Sequence, residues 1–280
     1  MIKAIKNFVK SAIRFAMDTA VKTEVGRYLL EQVLSTALSR TATTQHNGIE
    51  LTFAVPNSMN HFRIETFSTK EPETLQWIDR MEQGSVVWDI GANVGLYSCY
   101  AAKARGCTVF AFEPSVFNLE LLARNIFLND LTGKVTMMPL PLADRLATST
   151  LNMSMTDWGG ALSTFGESYS YDNKPLIKVF EFRTLGLSMD DAVKRLELAQ
   201  PDYIKMDVDG IEHLILKGGF DVLAKVKGVL IEINEEFTEQ SVDSFRYLSE
   251  CGLELIEKRH SEMSAGTPVF NQIWRRAATR

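Results

Sequence analysis

Apolar residues change their period along the chain. Through residues 1–40, Ile2, Ile5, Phe8, Val9, Ala12, Ile13 and Ala16 recur at three- and four-residue spacing, as on one face of a helix. This predicts an N-terminal helical extension over residues 1–45, ahead of one domain over 46–280. Asn47-Gly48 is a turn signal. Ile49–Val55 and Phe62–Phe67 then read as strands. In Ser68-Thr69-Lys70-Glu71-Pro72-Glu73 a hydroxyl can cap a helix, Pro suits its first turn, and carboxylates suit the positive end of its dipole.

From Val86 strands and helices alternate. Strands are predicted at Val86–Ile90, Thr108–Glu113, Val135–Met138, Thr150–Met153, Val179–Phe182, Tyr203–Asp207, Val229–Ile233, Leu253–Glu257 and Gln272–Arg275. Helices are predicted at Val94–Ala104, from a Ser115 cap through Asn129, at Ser188–Leu196, Glu212–Lys217 and Val242–Cys251. Leu119, Leu122, Ile126 and Phe127 form the buried face expected of the second. Residues 154–175 read as a long loop rich in Gly, Ser, Tyr and Asn, a length that in a compact domain usually has a function. The alternation implies an α/β fold with a mainly parallel, doubly wound sheet.

Charge separates the two regions. Lys3, Lys6, Lys10, Arg14, Lys22 and Arg27 oppose Asp18 and Glu24, so the first 27 residues carry +4; the whole chain carries −5, leaving −9 on the remainder. An acidic chain is not a general nucleic-acid binder. The basic amphipathic segment suits either a membrane surface or a cap on the domain. The cap, or a contact in a homodimer, is the favoured expectation, with Ile5, Phe8, Val9 and Ile13 buried. No run of about 18 apolar residues predicts a membrane span. Cys99, Cys107 and Cys251 form no C-x-x-C pair and suit reduced, buried thiols, which predicts a cytoplasmic protein.

Val87-Trp88-Asp89-Ile90-Gly91-Ala92-Asn93-Val94-Gly95 carries the strongest chemistry. An apolar strand runs into Asp-x-Gly-x-Asn-x-Gly and then a helix, whose free N–H groups suit a carboxylate or phosphate. The turn is not the dinucleotide Gly-x-Gly-x-x-Gly, and its acid repels a pyrophosphate but tolerates an amine or sulfonium. Glu113 ends the next strand, where an acid can accept from both ribose hydroxyls. Pro114 and Ser115 extend that edge. Pro141-Leu142-Ala143-Asp144-Arg145 reads equally as a surface turn or an adenine site, with Leu142 on the ring and Asp144 accepting from its amine.

A second cluster is Ile204-Lys205-Met206-Asp207-Val208-Asp209-Gly210-Ile211-Glu212-His213. Asp207 ends a buried strand at the carboxyl edge. With Asp209, Glu212 and His213 nearby, the group can hold a cofactor amine, take a substrate proton, or bind a divalent metal. The spacing is no known metal box, so proton transfer is preferred. Glu232 and Asn234 alternate with Ile231 and Ile233 on the next strand, where an acid needs a partner such as Lys205 or a role in a site.

Together with Phe110-Ala111-Phe112-Glu113-Pro114 and Leu230-Ile231-Glu232-Ile233-Asn234, these motifs resemble the FkbM-type methyltransferases over roughly residues 60–240. The resemblance implies a Rossmann-like, seven-stranded class I fold, S-adenosylmethionine as cofactor, and methyl transfer to a hydroxyl of a sugar, glycan or natural product. Thr69-Lys70-Glu71-Pro72-Glu73-Thr74-Leu75 is similar to the helix before the family's core, which adds Glu71 to the cofactor-binding set. The family commonly has Val-Glu-Gly where this chain has Val208-Asp209-Gly210. Asp207, Asp209 and His213 are the base candidates. The loop around Trp158 is either a surface loop or a closure over the acceptor, with Trp158, Phe165, Tyr169 and Tyr171 stacking on a sugar. Glu232 and Asn234 complete the expected acceptor site. The alternatives are a nicotinamide-dependent dehydrogenase and a non-catalytic adaptor with a relict nucleoside pocket.

Overall fold

The computed structural model describes residues 2–260 and 265–277, and among them the side chains of Ile2, Lys3, Ala4 and Lys6 lie outside the described set. The N-terminal region is two helices, α1 (Ile2–Ala20) and α2 (Glu24–Ser39), not one. Between them Thr23 caps α2, its hydroxyl accepting from the Gly26 N–H at 3.0 Å. The apolar face expected to be covered is open: Phe8 is 74% exposed, and Ile5, Val9 and Ile13 are exposed as well. The cap on the domain is therefore not formed.

The helical part ends at Ser39, and β1 (Thr41–His46) pairs antiparallel with β2 (Ile49–Ala54) around Asn47-Gly48. The segment expected as a strand at Phe62–Phe67 is instead α3 (Ser58–Glu65) and its C-terminal turn. Asn57 caps it through the Asn60 N–H, and the short apolar run is a buried helical face carrying Ile64, with Phe67 just beyond it. In α4 (Pro72–Asp79) Pro72 takes the first helical position, as expected. The cap position is Glu71, which makes no side-chain cap bond, in place of Ser or Thr.

The alternating region follows as β3 (Val86–Ile90), α5 (Leu96–Arg105), β4 (Thr108–Phe112), α6 (Val116–Leu128) and β5 (Val135–Met138). Ser115 precedes α6 without a side-chain cap bond. Leu122 and Ile126 are buried, but Phe127 is 73% exposed because it lies off their stripe. Next come β6 (Ala147–Met153), β7 (Ser163–Phe165) and β8 (Phe180–Gly186), which form a separate three-stranded antiparallel sheet. The long loop thus contains a strand. The chain then returns through α7 (Met189–Leu196), β9 (Tyr203–Met206), α8 (Glu212–Lys217), α9 (Phe220–Leu223), β10 (Gly228–Asn234), α10 (Thr238–Glu250), β11 (Leu253–Arg259) and β12 (Val269–Arg276).

The main sheet has seven strands in the order β11-β12-β10-β9-β3-β4-β5. β3, β4, β5, β9 and β10 are parallel, and β12 runs antiparallel to both its neighbours. One face packs Trp88, Ile90, Ile204, Met206 and Ile231 against the later helices, while Val87, Val109 and Leu230 face a core containing Leu75, Tyr100 and Phe67. Both faces are covered, which explains the continuous apolar runs of the parallel strands. The chain builds outward from β3 to β5 and then crosses back to β9 on the other side of β3. Such a reversal opens a crevice at the carboxyl ends of the strands, and the expected site residues lie there.

Candidate active site

Two close approaches shape the turn after β3. Gly91 has φ +82°, and a Cβ there would meet the Asp207 carbonyl oxygen at 1.8 Å. The turn can pass β9 only as glycine. Gly95 also has φ +82°, and a Cβ on it would meet Leu122 at 2.4 Å. Gly91 and Ala92 donate their N–H groups to the Phe112 carbonyl. The Asn93 N–H donates to Glu113 Oε2 at 2.8 Å and the Ser115 N–H to Oε1 at 2.7 Å. Glu113 therefore ties the two strand ends together. Burial pushes its carboxyl up to about 7, even though both amides favour the charged form.

A strap crosses this turn. The Gly160 carbonyl accepts from Asn93 Nδ2 at 2.9 Å and Asn118 Nδ2 at 3.0 Å, while Asn118 Oδ1 accepts from the Gly159 N–H. Further back, Asn57 and Asn60 donate to the Trp158 carbonyl and Arg63 donates to that of Gly159. Under the strap lies a cavity of about 60 Å³, reached by Glu113, Pro114, Leu142 and Asp209. It has room for a few waters.

Beyond Asp209 the crevice widens to about 750 Å³. At its floor Lys205 is 4% exposed, with its ammonium 3.6 Å from both Asp89 and Asp207 and 5.4 Å above the Tyr97 ring. Burial alone would lower its pKa. The carboxylates of Asp207, Asp89, Glu71 and Glu232 outweigh that and hold it above the ordinary lysine value. Glu71 bonds Lys70 at 2.8 Å and accepts from the Tyr97 hydroxyl at 3.0 Å. Its burial is outweighed by Lys70 and Lys205, so it stays below its ordinary value. Glu232 is pushed well above its own by burial and then by Asp207. Asp209 has φ +61° and accepts from the Leu162 N–H at 2.7 Å. Burial and the charge of Asp207 push it up to about 6. Gly91, Asn93, Asp207 and Asp209 line both cavities.

The expected residues divide accordingly. Glu71, Gly91, Asn93, Glu113, Pro114, Leu142, Asp207, Asp209, Glu232 and Asn234 line one or both cavities. Asp89 lies just beneath, accepting from Ser98 at 2.6 Å. Gly95 and Ser115 support the turn from behind. Asp144 lines neither cavity and instead pairs with Arg145 and Lys217. His213 is a correction: it is buried against Phe237, with both ring nitrogens unpartnered, and burial lowers its pKa. It lines neither cavity. Trp158 is a second correction, since its ring packs beside Ala54, Val94 and Leu121 and its carbonyl anchors the strap. Of the loop aromatics only Tyr171 lines the wide cavity; Phe165 lines the narrow one and Tyr169 packs on Phe237. Lys205, Tyr97 and Asn118 were missed as site residues. Lys205 carried a signal, a cation inside an apolar strand two residues before Asp207 and so on the same face.

The model of the methyltransferase FkbM domain matches residues 89–255. The chain belongs to the FkbM methyltransferase family. As an FkbM protein it is an S-adenosylmethionine-dependent methyltransferase, and the dehydrogenase and adaptor alternatives fall away. It is 26% identical over 208 residues to the hexuronic acid methyltransferase AglP of Haloferax volcanii, covering 74% of this chain and 79% of that protein. Among solved structures, M. jannaschii TYW2 in complex with AdoMet is 16% identical with a TM-score of 0.44, covering 85% of this chain and 87% of that one. A precorrin-6y C5,15-methyltransferase from Geobacter metallireducens GS-15 is 13% identical with a TM-score of 0.43, covering 74% and 87%.

Proposed function

We propose that this FkbM methyltransferase methylates a hydroxyl oxygen of a sugar or glycan, with the cofactor in the crevice above β3 and β4 and the acceptor in the wide cavity. The observation that carries the reading is the meeting of the two cavities at Asp207 and Asp209, so that a cofactor anchored at the narrow one, which itself holds only a few waters, would extend into the wide one beside the acceptor. The residues fit a nucleoside bearing an amino acid. Asn93, which lines both cavities, has its Oδ1 buried without a hydrogen-bond partner, which is costly unless a ligand supplies one. Glu113 would accept from the ribose, Leu142 would pack on the base, and Asp89, Glu71 and Lys205 would hold the charged amino-acid end.

When bound, S-adenosylmethionine supplies a methyl group on a cationic sulfur. The chain aligns the acceptor oxygen with that methyl and removes the hydroxyl proton. Asp209 suits the proton transfer, since it lies between the cavities and its pKa of about 6 approaches neutrality. Asp207, paired with Lys205, holds the charged floor in place. Glu232 and Asn234 offer groups to sugar hydroxyls. A uronic acid, the substrate class in the relative's name, would bring a carboxylate to Arg63, Lys70 and Lys174 at the cavity wall.

The test is methyl transfer from a labelled donor to hexuronates and neutral hexoses, free and glycosidically linked. Asp209→Asn should lower turnover by about 10²–10⁴-fold with cofactor affinity kept. Full turnover in both Asp209→Asn and Asp207→Asn would leave alignment alone as the catalytic device and remove the base assignment.

A further inference from the structure

We infer that helices α1 and α2 are a docking element for an anionic phospholipid surface, which they meet lying flat. Neither the family nor the site assigns these helices a role, and the family match begins at residue 89. In α1 the apolar residues Phe8, Val9, Ile13 and Phe15 are all exposed. In α2 Val25, Leu29 and Val33, four residues apart and so on one stripe, are exposed too. Contiguous exposed apolar surface of this kind marks an interaction site.

Charge decides which partner covers it. In the sequence Lys3, Lys6, Lys10 and Arg14 fall three or four residues apart, a second stripe beside the apolar one. The first 27 residues carry +4 and the rest of the chain −9. A second copy docking through the same helices would set two +4 segments against each other. An anionic lipid surface attracts the basic N-terminal segment and repels the acidic domain, so the contact is confined to the helices. No helix among the described residues is long and apolar enough to cross a membrane. An amphipathic helix with basic residues beside its apolar face instead lies in the interface, its apolar side chains entering the acyl boundary. This reading reverses the expectation of a cap or dimer contact.

The experiment is vesicle co-sedimentation of the full-length protein, with sedimentation-velocity mass measured in parallel. Vesicles of phosphatidylcholine with about 30 mol% phosphatidylglycerol should bind at least about tenfold tighter than phosphatidylcholine alone. Raising salt from about 0.05 to 0.5 M should remove most of that advantage. Lys10→Glu with Arg14→Glu should abolish it. Phe8→Ser with Phe15→Ser should abolish binding to either vesicle while leaving methyl transfer to a free acceptor unchanged. Equal binding to neutral and anionic vesicles, or none to either, would overturn the inference. A solution dimer that Phe8→Ser with Phe15→Ser dissociates would overturn it in favour of a second copy of the chain.

Discussion

The cavities on either side of Asp209 are built by different means. The narrow one is lined largely by packed apolar side chains such as Phe112, Leu140, Leu142 and Phe165, with Glu113 fixed by two amides and the Gly160 carbonyl clamped between Asn93 and Asn118. The wide one is bounded by charged side chains gathered around Lys205. Close-packed walls move little, so they suit a ligand of fixed shape. A field of carboxylates around a cation can meet many arrangements of hydroxyls. On the proposed function, the narrow cavity would anchor the constant cofactor and the wide one would take the acceptor.

The largest effect is expected at Lys205. Lys205→Met keeps the volume but leaves Asp89, Asp207 and Glu232 without their cation, and losing one partner of a buried pair costs about 3–5 kcal/mol. The expected outcome is a large fall in melting temperature by calorimetry. A melting temperature unchanged from the parent would show that water, and not Lys205, compensates these carboxylates.

Next in size is the narrow cavity. Glu113→Ala should weaken S-adenosylhomocysteine binding by about 1.5–3 kcal/mol in titration calorimetry, as for a lost charge-assisted hydrogen bond. Unchanged affinity would remove the ribose assignment. The same carboxyl, with Glu212 also near 7 and Asp209 near 6, makes stability depend on pH. These acids sit above their ordinary values of about 4 to 4.5. The folded state therefore holds more protons than the unfolded one between about pH 4.5 and 7, and its stability falls as pH rises through that window. Thermal melts of the ligand-free protein should show this decline, and Glu113→Gln should make it shallower. A melting temperature that climbs over the same range would contradict the buried, protonated carboxyls.

Smaller effects test the strap and the histidine. Asn118→Ala should cost about 1–3 kcal/mol, because the Gly159 N–H loses its acceptor. Hydrogen exchange at Gly159 should quicken, whereas exchange that stays slow would mean the Arg63, Asn57 and Asn60 contacts suffice. His213→Leu should change stability by less than about 1 kcal/mol, since the ring makes no hydrogen bond to lose. Its turnover per folded molecule should match the parent, and a loss of tenfold or more would return His213 to the active site.

Much of the architecture was legible in the chain itself. The alternation after Val86, the Asp-x-Gly-x-Asn-x-Gly turn and Glu113 are local patterns, because a strand, a glycine turn and a strand-end acid are specified by neighbours in sequence. The doubly wound sheet and the family were therefore readable from local sequence alone. It misread Phe62–Phe67 because a short apolar run fits a strand or a helix equally, and the Asn57 cap decided for the helix. Facing direction was decided only by the tertiary structure. His213 lies a few residues from Asp209 in sequence, yet the turn after Gly210 sends its ring into the core. Trp158 looked free to stack on a sugar, but Asn60 and Arg63 of distant α3, with its cap Asn57, hold the Trp158–Gly159 backbone. Lys205 became central only when strand pairing set it beside Asp89. These outcomes depend on register and on contacts across many residues, and no local pattern encodes which of two faces a side chain will meet.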